Sequence, residues 1–145
     1  MSKKFFAVPD NPGWYEWRAG SPEQFNRAVL GEMFIRRESD NVARIRLTPQ
    51  ERLSNLNGVM HGGALMALID TAMFAGAIFV TDQHEQRGVT VDAQIQFLSP
   101  GQMDQPVDVL AELTRETGKL FFTRGLVVQG ETRVCSYTGL LRKIS

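Results

Sequence analysis

Polar and apolar residues alternate strictly in VTVDAQIQFL (Val89–Leu98), with apolar residues at 89, 91, 93, 95 and 97. A period of two predicts a strand with one face on a core. SPG (Ser99–Gly101) closes it. Val107, Val109, Ala111 and Leu113 alternate in the next run. ETGK (Glu116–Lys119) reads as a hairpin turn, with Gly118 supplying a positive φ. Leu120–Gln129 and Thr132–Lys143 form a second hairpin across Gly130-Glu131. VARIRL (Val42–Leu47) is a shorter strand, its arginines facing solvent between Val42 and Ile45–Leu47. Glu32–Leu47 should hold two strands joined at SDN (Ser39–Asn41), and Pro49 ends the second.

The stretch NLNGVMHGGALMALIDTAMFAGAIFV (Asn55–Val80) has no such alternation. From about Gly62 it reads as a helix that is apolar all round, which predicts burial. Asp70 interrupts it in the middle. Ala64–Val80 falls short of the ~20 residues of a membrane span, and an aspartate there would cost roughly 2.5–3.5 kcal/mol. A soluble core helix is the expectation. Upstream, SPEQ looks like a helix start, with Ser21 as N-cap, Pro22 as first helical residue and Gln24 as capping-box partner. That helix should reach about Leu30 and bury Phe25 and Val29. Residues 1–30 thus form an aromatic, turn-rich segment with a short helix, within a single domain of residues 1–145. The order is short helix, two strands, long helix, four strands. It is an α+β layout, an antiparallel sheet wrapped around one long central helix.

Composition narrows the function classes. The 145 residues carry 16 basic and 16 acidic side chains, so no basic nucleic-acid footprint is expected. One cysteine and two histidines leave neither an intrachain disulfide nor a structural zinc site. Cys135 should be a packed strand residue and His84 a solvated turn residue. With no signal-peptide pattern at the start, a cytoplasmic location is expected. G-x-S-x-G, G-x-x-x-x-G-K and G-x-G-x-x-G motifs are all missing.

Candidate chemistry sits in the long helix. A carboxylate buried without a partner is costly, so Asp70 is either satisfied by nearby donors or kept as a base or nucleophile. Gly62 and Gly63 either turn the chain into the helix or leave its first N–H groups free to bind an oxyanion. His61 and Asp70 are nine positions apart, roughly 14 Å of helix rise and half a turn of phase. Gly62 and Asp70 of one chain therefore cannot both touch one reacting carbon. Acting together, they require an isologous dimer with two identical sites. The Val89–Leu98 strand is the candidate for pairing across it.

The motif N-x-N-G-V-M-H-G-G-A-L-x-x-L-x-D, followed by G-V-T-V-D-A-Q-I-Q-F-L-S-P-G, resembles the hotdog-fold thioesterase superfamily in its PaaI-like, phenylacetic-acid-degradation branch. The resemblance runs in element order from about Gly31 and is strongest over Asn55–Gly101. It implies a hotdog fold, edge-to-edge dimers that often pair into tetramers, and hydrolysis of an acyl-CoA thioester without metal or cofactor. It also implies that Asp70 is the acidic catalytic residue and that the Gly62 N–H polarises the thioester carbonyl. His61 and Asn55 would shape that end of the site, and Thr90 would hold the water. Gly63 joins the substrate-binding set. Basic residues such as Arg87, Arg115, Lys119 or Arg142 are candidates for the nucleotide end of CoA, with Arg115 and Lys119 foremost. The aromatic stretch Phe5–Trp17 is expected to cover the acyl tunnel or a neighbouring subunit. Two rival functions remain at this point: a non-catalytic acyl-CoA-binding hotdog, and a hydratase or dehydratase using His61 as base.

Overall fold

The alternating runs become strands, and the run without alternation becomes the helix they enclose. The computed structural model describes residues 4–145. Its strands are β1 (Phe5–Ala7), β2 (Tyr15–Trp17), β3 (Met33–Arg37), β4 (Val42–Leu47), β5 (Arg87–Phe97), β6 (Val107–Glu116), β7 (Leu120–Gln129) and β8 (Thr132–Ile144). Helix α1 (Gly62–Val80) lies between β4 and β5 in the chain. All strand pairs are antiparallel, in the order β1-β2-β3-β4-β6-β7-β8-β5. The chain crosses after α1 to lay β5 at the far edge, where among the described residues it pairs with β8 alone.

Helix and sheet meet closely because facing residues are small. Ala43, Ala111 and Gly125 are aligned in register across β4, β6 and β7. A Cβ on Gly76 of α1 would stand only 2.8 Å from the Ala111 Cβ. Leu68, Ile69, Ala72, Met73, Ala75 and Ile78 are fully buried against that face. The helix has the length and apolarity of a membrane span, but two thirds of it is buried within the fold. Its burial is not all-round, however. Gly63, Met66 and Asp70 are exposed, and Gly62, Ala67 and Phe74 only half-buried, leaving one stripe open.

Several local expectations are corrected. The aromatic segment adds two short strands to the sheet, with Phe5 packed on Trp17 and Phe79 of its own chain. SPEQ keeps half of its capping box, since the Ser21 N–H donates to Gln24 Oε1 at 2.8 Å. The chain then makes a π-helical turn over Asn26–Leu30, closed by the Gly31 N–H donating to the Asn26 carbonyl. Phe25 therefore projects into solvent, 56% exposed, and Leu30 is the residue buried. Gly118 does not take a positive φ, whereas Gly130 does. His84 is packed rather than solvated, its ring 4.8 Å from that of Phe5. In β4 the inward residues are Ala43, Ile45 and Leu47, which puts Val42 on the arginine face.

Those β4 arginines are not free either. Asp108 of β6 is 6% exposed and accepts from Arg44 at 2.6 Å and Arg46 at 2.8 Å. Arg46 and Arg36 also lie over the Trp14 ring. Burial alone would raise the Asp108 pKa, but the hydrogen bonds from Arg46 and Arg44 outweigh it and hold the carboxyl below its ordinary value. A depressed folded-state pKa stabilises fully above the unfolded value of about 3.9, and the stabilisation is lost as pH falls through the lower folded value. Asp108→Asn should therefore cost about 1–3 kcal/mol at pH 7. Urea denaturation repeated down to pH 3 should show the gap between variant and wild type closing below about pH 4.

Candidate active site

Two turns of backbone build the helix head. The Asn55 side-chain oxygen accepts from the Asn57 N–H at 2.9 Å and the Val59 N–H at 3.3 Å, holding the loop before the helix. The His61 N–H donates to the Leu53 carbonyl and the Met60 N–H to the Gly101 carbonyl. His61 is the N-cap: its backbone is extended, and its Nδ1 accepts from the Gly63 N–H at 2.8 Å. That hydrogen bond engages the Gly63 N–H within the chain. It also explains why a glycine stands there, since a Cβ would lie 2.9 Å from His61 Nδ1. With Nδ1 accepting, the neutral ring carries its proton on Nε2. Among the described residues the Gly62 N–H has no acceptor. It is a free donor at the positive end of α1. A concavity of about 620 Å³ opens beside it, lined by Ser54, Asn55, Leu56, Asn57 and His61.

Asp70 lies two turns further along. It is exposed, not buried, on the open stripe of α1. Thr90 Oγ1 donates to Asp70 Oδ1 at 2.5 Å. Alternation along β5 would have turned Thr90 away from the helix. A β-bulge between Thr90 and Asp92 leaves Val91 unpaired and reverses the parity. Before the bulge Gly88 and Thr90 face α1. After it Ala93, Ile95 and Phe97 share the face of Gly139, Tyr137 and Cys135. Behind Asp70 lies a cavity of about 160 Å³, whose lining includes Trp17, Asn26, Thr71, Phe74 and Thr90. Trp17 and Asn26 come from the N-terminal segment and were not among the expected site residues.

Gly62 and Asp70 are eight residues apart on one helix, about 12 Å of rise. One chain thus presents two half-sites: a donor with nothing to bind, and a carboxylate–hydroxyl pair with no oxyanion donor. The remaining expected residues lie elsewhere. Arg115 and Lys119 flank the β6–β7 turn, where Glu116 bonds Gln83 beyond the C-terminal end of α1. Arg87 is engaged by the Ser145 carbonyl. Arg142 is exposed on the outer face of β8. Cys135 is fully buried, and burial pushes its thiol up to about 11. A larger groove of about 830 Å³ crosses the outer sheet face near Leu110 and Leu126. Its two charged residues, Glu112 and Arg124, pair with each other. Among the described residues no cluster suited to a metal ion occurs.

Known proteins share this fold. A sequence search of curated proteins finds no match. A conserved protein of Pseudomonas aeruginosa is similar in structure, with TM-score 0.72 and 26% identity over 83% of this chain and 94% of that one. The Escherichia coli PaaI protein from the phenylacetic acid degradation operon aligns with TM-score 0.70 and 23% identity, covering 85% of this chain and 86% of its own. A hypothetical thioesterase of Streptococcus pneumoniae, solved with coenzyme A, aligns with TM-score 0.68 and 19% identity, covering 81% of this chain and 90% of that one. These show the hotdog fold. The family model for the thioesterase superfamily matches residues 57–136, a span that holds Gly62, Asp70 and Thr90. The chain belongs to the thioesterase superfamily.

Proposed function

We propose that this protein is an acyl-CoA thioesterase whose site joins the Gly62 half-site of one chain to the Asp70–Thr90 half-site of another. The observation that carries the proposal is the complementarity of the two halves: a free N–H at the helix head, and a carboxylate–threonine pair on the same open stripe about 12 Å away. The Gly62 N–H binds the thioester carbonyl oxygen and stabilises the negative charge that develops there. Thr90 holds a water beside Asp70, which takes one of its protons as the hydroxide oxygen attacks the carbonyl carbon. The C–S bond then breaks, and the CoA sulfur leaves with that proton. The CoA found in the S. pneumoniae protein supports the choice of thioester. His61 is not suited to act as a hydratase base, because its Nδ1 already accepts a hydrogen bond and its Nε2 carries the proton.

Dimer formation is supported by exposed apolar side chains beside both half-sites. Met66, Val89, Val91, Phe97 and Leu98 are each 49–56% exposed. One edge of β5 is unpaired among the described residues, and such an edge is a template for another strand. Val91→Lys should convert the dimer to monomer in sedimentation velocity and abolish activity with it. A variant that stays dimeric would remove β5 from the interface. The activity itself is tested by free-thiol release from short-chain, long-chain and aryl acyl-CoAs. At least one should be hydrolysed well above background; silence across the panel contradicts the enzyme.

A further inference from the structure

The open stripe of α1 places one apolar side chain between the two half-sites. Gly62, Met66 and Asp70 follow one another at intervals of four. Four residues make one turn plus roughly 40°, so the three share a face, with Met66 midway. Met66 is 51% exposed, and no other large apolar side chain of α1 is as open. Strand β5 brackets the same midpoint. Its Thr90 bonds Asp70, and a Cβ on Gly62 would lie 3.7 Å from the Phe97 ring. β5 therefore runs back along α1 from the Asp70 end to the Gly62 end, and the level of Met66 falls near Ala93 and Gln94. Both of these residues are exposed on the edge strand.

We infer that the two-fold axis of the dimer passes at Met66, so that the Met66 side chains of two chains meet there and set the gap across which each site works. This rests on the pairing of Gly62 with Asp70 of a second chain proposed above. In an isologous interface that pairing is reciprocal: Asp70 then meets Gly62 of the second chain. The two helices must run antiparallel, and the residue halfway between positions 62 and 70 faces its own copy. That residue is Met66. The β5 edges pair antiparallel about the same axis, centred near Ala93 and Gln94. Packed helices lie about 8–10 Å apart, and the side chains at the contact choose the value. An unbranched, flexible thioether fills such a contact well. Met66 touches no reacting atom. It is a positioning residue, one turn from the oxyanion donor of one site and one turn from the base of the other.

Cysteine cross-linking tests the axis. Cys135 is the chain's single cysteine and is fully buried, so Met66→Cys carries one accessible thiol. A short bismaleimide should convert Met66→Cys almost wholly to a covalent dimer on a denaturing gel. Leu56→Cys is the control. Leu56 is fully exposed in the loop before the helix head, so its two copies lie at opposite ends of the paired helices and should link far less. A dimeric Met66→Cys that does not link, or links no better than Leu56→Cys, overturns the inference. Kinetics test the positioning. Met66→Ala should remain dimeric and lose about tenfold or more in kcat with KM nearly unchanged, since a misplacement of about 1 Å can cost about 100-fold. Met66→Leu, of similar volume, should keep kcat near wild type. A dimeric alanine variant with full kcat removes the positioning role. Linking at position 66 in a protein that releases no thiol from any acyl-CoA would keep the axis and contradict the hydrolase. An active dimer that does not link would do the reverse.

Discussion

Asp70→Asn should reduce kcat for thioester hydrolysis by about 10²–10⁴-fold, the usual worth of a positioned general base. Asparagine keeps the shape and one oxygen, so Thr90 Oγ1 still has its acceptor. What disappears is the group that accepts a proton. Because Asp70 is exposed, the change removes no buried charge, and unfolding free energy should stay within about 0.5 kcal/mol. The loss should fall in kcat with KM nearly unchanged, as for an interaction made only in the transition state. Steady-state kinetics with a chromogenic thiol reagent, alongside thermal unfolding, separates these quantities. A variant retaining more than a tenth of wild-type kcat would show that Asp70 is not the base.

Gly62→Pro should cost about 10²–10³-fold in kcat and almost nothing in stability. Proline is normally an unsafe probe of a helix, but here the local geometry suits it. Gly62 is the first residue of α1, where proline's fixed φ is already helical and its missing N–H breaks no helical bond. His61 before it has φ −62° and ψ 135°, the extended conformation that a following proline requires. A Cβ at position 62 would meet the Phe97 ring at 3.7 Å, an ordinary contact. The substitution therefore deletes one hydrogen-bond donor and little else. Gly62→Ala, which restores the N–H, should recover most of the activity. If proline and alanine behave alike, the Gly62 N–H is not the oxyanion donor.

Sequence patterning captured those features whose physics is local and repeated. The last four strands followed from long alternating runs bounded by glycine and proline, and α1 from an apolar run without alternation. The His61–Asp70 spacing followed from helix rise alone. Strands β1 and β2 were hidden because three residues cannot establish a period. Asn26 was hidden because a π-turn breaks the helical spacing that would have marked it. The alternation at Val89–Phe97 was legible, but its meaning was not. An edge strand needs no core on its apolar face, and the bulge at Val91 is visible only when β5 is counted against β8. Asp70 was taken for a buried charge because its neighbours are apolar. The structure shows that they bury the other faces of the helix and leave its own open.

The central claim is that each site takes Gly62 from one chain and Asp70 from the other. Subunit complementation measures this directly. Equal amounts of Asp70→Asn and Gly62→Pro, each inactive alone, are unfolded together and refolded to exchange subunits. Half of the resulting dimers are mixed, and each mixed dimer holds one intact site and one doubly altered site, giving about a quarter of wild-type activity. A mixture as inactive as its parents, with mixed dimers confirmed by native mass spectrometry, would show that the site lies within one chain and would contradict the claim.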